Sequence, residues 1–256
     1  MFLTKNKGFY MFNFFVQNKS NNGKFYITGG DYNHIKSVLR LKVNDSVLVS
    51  AENTNYLCKI SGFTETEVVL DILEENYLDT SLPIEIYLFQ GLPKSDKLEL
   101  IIQKAVELGV SKIVPVEMQF SVAKIEEKKK ESKTARFNAI AESSAKQCKR
   151  AFVPEVLAPL TFKSALELCD KLDLLIVPYE CALGMEQTKL ALSKIKSGFK
   201  VGVMIGPEGG FSEKEIELVK EKSNTQIISL GKRILRTETA SITVLSMLML
   251  YAEINL

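Results

Sequence analysis

Beyond Pro83 the chain repeats one rhythm: a short apolar run suited to a buried strand, then a longer amphipathic or charged stretch suited to a helix. "IEIYLFQG" is followed by "SDKLELIIQKAVELG", where Leu98, Ile101, Ile102, Ala105 and Leu108 share one helical face and Gly109 supplies the stop. "KIVPV" precedes a charged helix predicted from Glu127 to Lys149. "LDLLIVPYE", "KVGVMIG" and "TQIISLG" are further strands, each with helical sequence behind it. Repeated β-then-α order leads to an α/β domain with a mostly parallel sheet and helices on both faces. Ligands of such sheets sit at the carboxyl ends of the strands, so the loops there are the places to look for function.

The first 80 residues follow a different pattern. "FNFFV", "KFYIT", "DSVLVSA", "YLCKISGF" and "EVVLDILEE" read as short strands, interrupted by one helix-like piece, "DYNHIKSVLRL". Their spacing and β-branched content suit a small barrel or curled sheet. "LDTSLP" supplies turn residues and a proline, a linker between domains of residues 1–80 and 81–256.

Several function classes drop out on composition. With 46% apolar and 25% charged residues the chain is globular rather than disordered. Its longest apolar stretches, such as "VLSMLMLYA", fall short of the roughly 20 residues that cross a bilayer, so no membrane span is expected. The start, "MFLTKNKGFYMFNFFV", has no small-residue cleavage pattern, which points to the cytoplasm. Cys58, Cys148, Cys169 and Cys181 form no C-x-x-C pair and read as small core residues. A single histidine, His34, leaves zinc hydrolysis and Ser-His-Asp catalysis without their usual groups, and no metal is expected. Net charge is only +2, yet residues 1–64 carry eight basic against three acidic side chains, and residues 124–150 nine against four. Two such regions suit an anionic polymer, although solvated faces account for the same charges.

Three strand ends stand out: "VPYE" at 177–180, "IGPEGG" at 205–210 and "LGKRILRTETAS" at 230–241. The second runs into Ser212 and Glu215, a capping box that starts a helix. "GPEGG" lacks the dinucleotide spacing and the Lys and Ser/Thr of a phosphate loop. Its Glu208 opposes an anion and better suits a cationic ligand or one offering hydrogen-bond donors. A tight glycine turn is the alternative explanation. In the third loop Lys232, Arg233 and Arg236 adjoin Glu238, an arrangement suited to stabilising charge; Thr237 or Thr239 also reads as a cap for the apolar helix expected from about Ala240.

Taken together, "GPEGGFSEKEI" and "LGKRILRTETAS" resemble the bacterial 16S ribosomal RNA uridine-N(3) methyltransferases of the SPOUT class. "NHIKSVLRLKVND", "LPKSDKLELIIQKAVELGVSKIVPV" and "ESSAKQCKR" are similar to that family's other motifs, in its order, so the likeness spans Asn33 to Ser241. The resemblance implies an N-terminal PUA-like β-barrel and an α/β domain with a trefoil knot, an exception to the rule that chains avoid knots. It also implies S-adenosylmethionine as cofactor, a homodimer, and 16S rRNA of the small ribosomal subunit as partner. By the same resemblance the cofactor would be held by Ile205, Gly206, Pro207, Glu208, Gly209 and Gly210, by Leu230, Gly231, Ile234, Leu235, Arg236, Thr239 and Ala240, and by Pro178, Tyr179 and Glu180. Whether Glu208 touches it stays open.

The implied reaction is attack by the imide nitrogen of a uridine on the activated methyl group. Arg236 is the candidate to stabilise the charge left on the base, and Glu238 a weaker candidate for the proton acceptor. RNA contacts are expected from His34, Lys36, Arg40, Lys94, Lys149 and Arg150. Two positions depart from the family pattern: Asn13 and Phe120 stand where arginines are frequent. The ten residues before Met11 read as an extension or an early start codon. Methylation of another RNA position, or a ribosome-assembly module that binds RNA without catalysis, are the competing readings.

Overall fold

The computed structural model describes residues 11–17, 19, 22–180 and 184–256. The expectations for the first ten residues and for Cys181 lie outside them. The chain forms two compact units: one runs up to Ser81 and includes Ala145–Val153, the other comprises Leu82–Ser144 and Pro154–Leu256. A single boundary near residue 80 does not express this, because 145–153 returns to the first unit. There Asn55 Nδ2 donates to the carbonyls of Leu78 and Lys149, and the Ser50 hydroxyl reaches the Arg150 carbonyl.

In the first unit β1 (Asn13–Phe15), β2 (Lys24–Thr28), β3 (Ser46–Ala51), β4 (Thr54–Phe63) and β5 (Glu67–Glu75) make one sheet in the order β1-β3-β4-β5-β2. β1 and β3 run parallel and the other pairs antiparallel. Tyr56, Cys58 and Ile60 alternate into the core of β4, where Phe25, Val47 and Leu70 meet them. Register shifts between Leu57 and Cys58 and between Ile60 and Gly62 bend the β4–β5 pair, which gives the curl that a flat sheet lacks. The helix-like piece begins earlier than expected, as α1 (Gly29–Asn33), and continues as a π-helical segment, His34–Leu39. Arg40 ends it in the left-handed region at φ 53°. Ile35 is buried from this segment, whereas His34, Lys36, Val38 and Arg40 stay exposed.

The second unit is built on a parallel sheet of β6 (Glu85–Gly91), β7 (Lys112–Glu117), β8 (Glu155–Val156), β10 (Leu174–Pro178), β11 (Lys200–Ile205) and β12 (Thr225–Ile228), in the order β12-β10-β11-β6-β7-β8. A two-residue β9 (Leu160–Thr161) also pairs with β7. Helices α2 (Lys97–Glu107), α3 (Glu127–Cys148), α4 (Phe162–Cys169), α5 (Glu186–Ser193), α6 (Glu213–Lys220) and α7 (Thr237–Asn255) connect or follow the strands. α2 ends as its sequence requires: Gly109 takes φ 90°, Val110 N–H reaches Ala105 O and Gly109 N–H reaches Val106 O, a Schellman closure. α4 was not singled out from the sequence, although Thr161 caps it by accepting from Ser164 N–H. Phe89, Val114, Leu175, Val177 and Met204 are fully buried between the layers. Cys58 and Cys169 are buried and Cys148 is half-buried.

Candidate active site

β12, β10 and β11 are neighbours, so the three loops leaving their carboxyl ends come together although they are separated in sequence. They enclose a cavity of about 430 Å³, within the size range of small-molecule sites. Pro178, Tyr179 and Glu180 form one wall, Ile205 to Phe211 the second, and Ser229 to Thr237 with Ala240 the third. Lys97 joins them from the start of α2. Tyr179 and Phe211 meet edge to face at 6.5 Å between ring centroids, an apolar corner of the cavity.

Local chemistry fixes each wall. Ser212 and Glu215 form the expected capping box at α6: Ser212 Oγ accepts from Glu215 N–H, and Glu215 Oε2 accepts from Ser212 N–H. Glu215 Oε1 also accepts from Gln119 N–H at 2.8 Å, so the loop carrying Phe120 is tied to the glycine turn. Phe120 packs against that turn, and a Cβ on Gly209 would lie 2.7 Å from Phe120 Cβ. The end of β12 is pinned by Thr188 on α5, whose hydroxyl donates to Ser229 O and accepts from Ser229 N–H.

Beneath the cavity lies a buried polar network. Gln90, the penultimate residue of β6, donates from Nε2 to Thr237 Oγ1 at 2.9 Å and to Gly91 O. Thr237 Oγ1 in turn donates to Gly206 O at 2.7 Å, and Ser241 Oγ lies 2.5 Å from Gln90 Oε1. Neither threonine caps α7, so the alternative account of this loop as a simple helix cap does not hold. Arg236 occupies the N-cap position without a side-chain cap bond, and the Thr237 hydroxyl is committed to Gln90 and Gly206. The helix therefore begins at Thr237, three residues before the point expected.

Glu208 is not a free acid. Lys97 Nζ lies 2.9 Å from its Oε1, and both its oxygens accept from Lys94 N–H at 3.2 Å. Burial raises its pKa, but the Lys97 ammonium and the main-chain donors outweigh burial and hold it below the usual carboxylate value. The same Lys97 Nζ stands 3.3 Å from Glu238 Oε2, a buried oxygen that meets no hydrogen-bond donor in good geometry among the described residues.

The cavity thus gathers every expected cofactor residue except Thr239, which is exposed and absent from the lining. On α7 the inward threonine is Thr237, two positions earlier and so on another face of the helix. Arg236 lines the cavity from an exposed position, whereas Glu238 does not line it. Lys232 and Arg233 line it within the expected stretch Leu230 to Leu235, and Lys97, Phe211, Ser229 and Thr237 complete the lining unforeseen. For Lys97 a signal existed in its place three residues after Lys94; for Ser229 and Phe211, each flanking a turn already singled out, adjacency was the only one.

His34, Lys36 and Arg40 are exposed in the first unit. Lys36 Nζ donates to Tyr32 Oη at 2.6 Å and sits over that ring. Lys94 is exposed in the second. Lys149 is half-buried, with its ammonium on the Met11 carbonyl, and burial lowers its pKa. Arg150 does not fit the surface role expected of it: it is 5% exposed, its guanidinium lies 4.4 Å from the Phe152 ring centre, and burial pulls its pKa down to about 10. Asn13, one of the two departures, is buried and accepts the Ser50 hydroxyl while its amide reaches Arg150 O.

Comparison with known proteins gives consistent matches. Residues 80–249 match the RNA methyltransferase domain family, and residues 27–73 the RNA methyltransferase PUA domain. The ribosomal RNA small subunit methyltransferase E of Bacillus subtilis (strain 168) is 33% identical over 234 residues, covering 90% of this chain and 91% of its own. That of Mesomycoplasma hyopneumoniae is 32% identical, covering 92% and 98%. Among solved structures, a ribosomal RNA small subunit methyltransferase E from Neisseria gonorrhoeae bound to S-adenosyl methionine superposes with TM-score 0.79 at 26% identity, covering 94% and 98%. A methyltransferase from Legionella pneumophila in complex with the same cofactor gives 0.77 at 26%, covering 94% and 97%.

Proposed function

We propose a reaction for a chain that belongs to the ribosomal RNA small subunit methyltransferase E family. It is an S-adenosylmethionine-dependent RNA methyltransferase with a PUA-like N-terminal domain and a SPOUT-type α/β domain, and its substrate is small-subunit ribosomal RNA. The finer assignment, transfer to the N(3) imide nitrogen of one uridine in 16S rRNA, is our inference. It rests on the resemblance of the strand-end motifs to the uridine-N(3) methyltransferases, while the observation that carries the methyl-donor site is the convergence of the three strand-end loops on one cavity.

The residues present fit the cofactor. The cavity has room for a nucleoside-sized ligand and is lined in part by two glycine-containing turns, at 206–210 and 230–235. Its glycine turn carries Glu208 and lacks the Lys and Ser/Thr of a phosphate loop. When bound, S-adenosylmethionine supplies a methyl group activated by its sulfonium. The turns at 206–210 and 230–235 hold and orient it, which converts an encounter of two reactants into a positioned one. Arg236, at the N-terminal end of α7, adds its guanidinium to the positive end of the helix and stabilises negative charge spreading onto the uracil carbonyls. Glu238, two residues further on and outside the cavity lining, is the weaker candidate, the one to take the imide proton. His34, Lys36, Arg40 and Lys94 are the proposed RNA contacts, and phosphate neutralisation by them makes binding salt-dependent.

The same reading takes the protein to be a cytoplasmic homodimer whose C-terminal segment threads a trefoil knot. Exposed Leu250 and Ile254 on α7, at 51% and 75%, support the pairing of two copies. Among the described residues no helix is long and apolar enough to cross a membrane.

The deciding experiment incubates the protein and labelled cofactor with small ribosomal subunits from cells lacking it, then maps the methyl group by mass spectrometry. N(3)-methyluridine at one site is the expected product. A methyl on ribose or on another base redirects the assignment within the class, and absence of cofactor binding by calorimetry favours a non-catalytic assembly module.

A further inference from the structure

We propose that Lys97 is a positioning residue of the methyl-donor site, its single ammonium stapling the glycine turn after β11 to the first turn of α7 by holding Glu208 and Glu238 together. The inference rests on the cofactor reading above. It goes beyond that reading in assigning a role to a residue outside the three loops.

The geometry is specific. Lys97 Nζ lies 2.9 Å from Glu208 Oε1 and 3.3 Å from Glu238 Oε2. Among the described residues no other cation reaches ion-pair distance of either carboxylate, although Lys232, Arg233 and Arg236 line the same cavity. Glu208 is anchored a second time, by Lys94 N–H. Among the described residues Glu238 lacks such a second anchor: its buried Oε2 has the charge of Lys97 nearby and no hydrogen bond in good geometry. One cation thus serves two acids, Glu208 in the wall formed by the glycine turn and Glu238 behind the lining in the first turn of α7, with α2 as the fixed base.

Removing that cation leaves two carboxylates unpaired on neighbouring segments. Like charges at partly buried sites repel more strongly than in water. The expected response is displacement of the first turn of α7, where Arg236 and Thr237 close the third wall. The pKa of Lys97 is raised chiefly by the Glu208 contact, in keeping with an ammonium held charged by its partners.

Calorimetry with S-adenosylmethionine tests the staple, using wild type, Lys97→Met, Lys97→Arg and the double variant Lys97→Met/Glu208→Gln. Lys97→Met is expected to weaken binding about fivefold to tenfold, a partly exposed pair being screened by solvent. Lys97→Arg should restore most of the loss, and the double variant part of it, because one of the repelling charges is gone. Recovery in the double variant is the discriminating result, since a direct Lys97 contact with the ligand predicts none. Wild-type affinity in Lys97→Met, or a double variant no tighter than Lys97→Met, overturns the staple while leaving the cofactor reading intact. Failure of wild type to bind overturns both. Should Lys97→Met not fold, folding of the double variant supports repulsion as the cause, and failure of both assigns Lys97 to packing instead.

Discussion

Thr237 donates its hydroxyl proton to the main-chain oxygen of Gly206 at 2.7 Å, joining the start of α7 to the first residue of the glycine turn. The two lie 31 positions apart in sequence on different walls of one cavity. Thr237→Val keeps the shape but leaves Gly206 O and Gln90 Nε2 short of a partner, at a cost of about 1–3 kcal/mol. Thermal unfolding should show a lowered midpoint, and calorimetry weaker cofactor binding. Thr237→Ser, which retains the hydroxyl, should stay near wild type on both; an unchanged Thr237→Val would show that the bond is dispensable.

Gly91 ends β6 directly against the glycine turn. A Cβ there would lie 2.6 Å from Pro207 N and 2.9 Å from Met118 Sδ. Gly91→Ala therefore overpacks a buried junction, an effect of about 1–3 kcal/mol. Stability and cofactor affinity should fall together, because Pro207 is part of the cavity wall. Loss of stability alone would mean that the turn moves without altering the site.

Arg236 is exposed at the cavity edge, so replacing it removes charge without emptying a core. Arg236→Ala should lower turnover about a hundredfold or more, the usual scale for losing one stabilising donor, much more than it weakens cofactor binding and with little change in thermal midpoint. Single-turnover methylation with saturating cofactor measures it. Equal rates for variant and wild type would remove Arg236 from the chemistry.

Burial pushes the thiols of Cys58 and Cys169 up to about 12. Unfolded thiols titrate near about 8.5. Between these values the unfolded chain has released protons that the folded chain keeps, so folding stability is full below the lower value and declines as pH rises through the window. Denaturant midpoints measured from neutral to alkaline pH should fall, and less steeply in Cys58→Ala and Cys169→Ala. The native thiols should also resist alkylation at neutral pH.

Lys36 and Arg40 are exposed, whereas Arg150 is buried against Phe152. Lys36→Ala and Arg40→Ala should each reduce the slope of log affinity against log salt for small ribosomal subunits by about one. Arg150→Ala should leave that slope unchanged and lower the thermal midpoint. A reversed pattern would place the RNA on a different surface.

Much of the active-site composition was legible because strand-end loops in an α/β domain carry ligands, and "VPYE", "IGPEGG" and "LGKRILRT" each follow an apolar strand. The capping box at Ser212 and Glu215 and the Gly109 stop were equally readable, since both are local: the partners lie within a few residues and the backbone leaves them little choice. Pairings across the fold were another matter. That Thr237 bonds Gly206 instead of capping its own helix, that Lys97 reaches Glu208 and Glu238, and that Arg150 turns inward depend on which strands lie side by side and what remains solvated once they do. Periodicity specifies a residue's face within its own element; only the order of strands in the sheet decides which distant charge or hydroxyl that face meets.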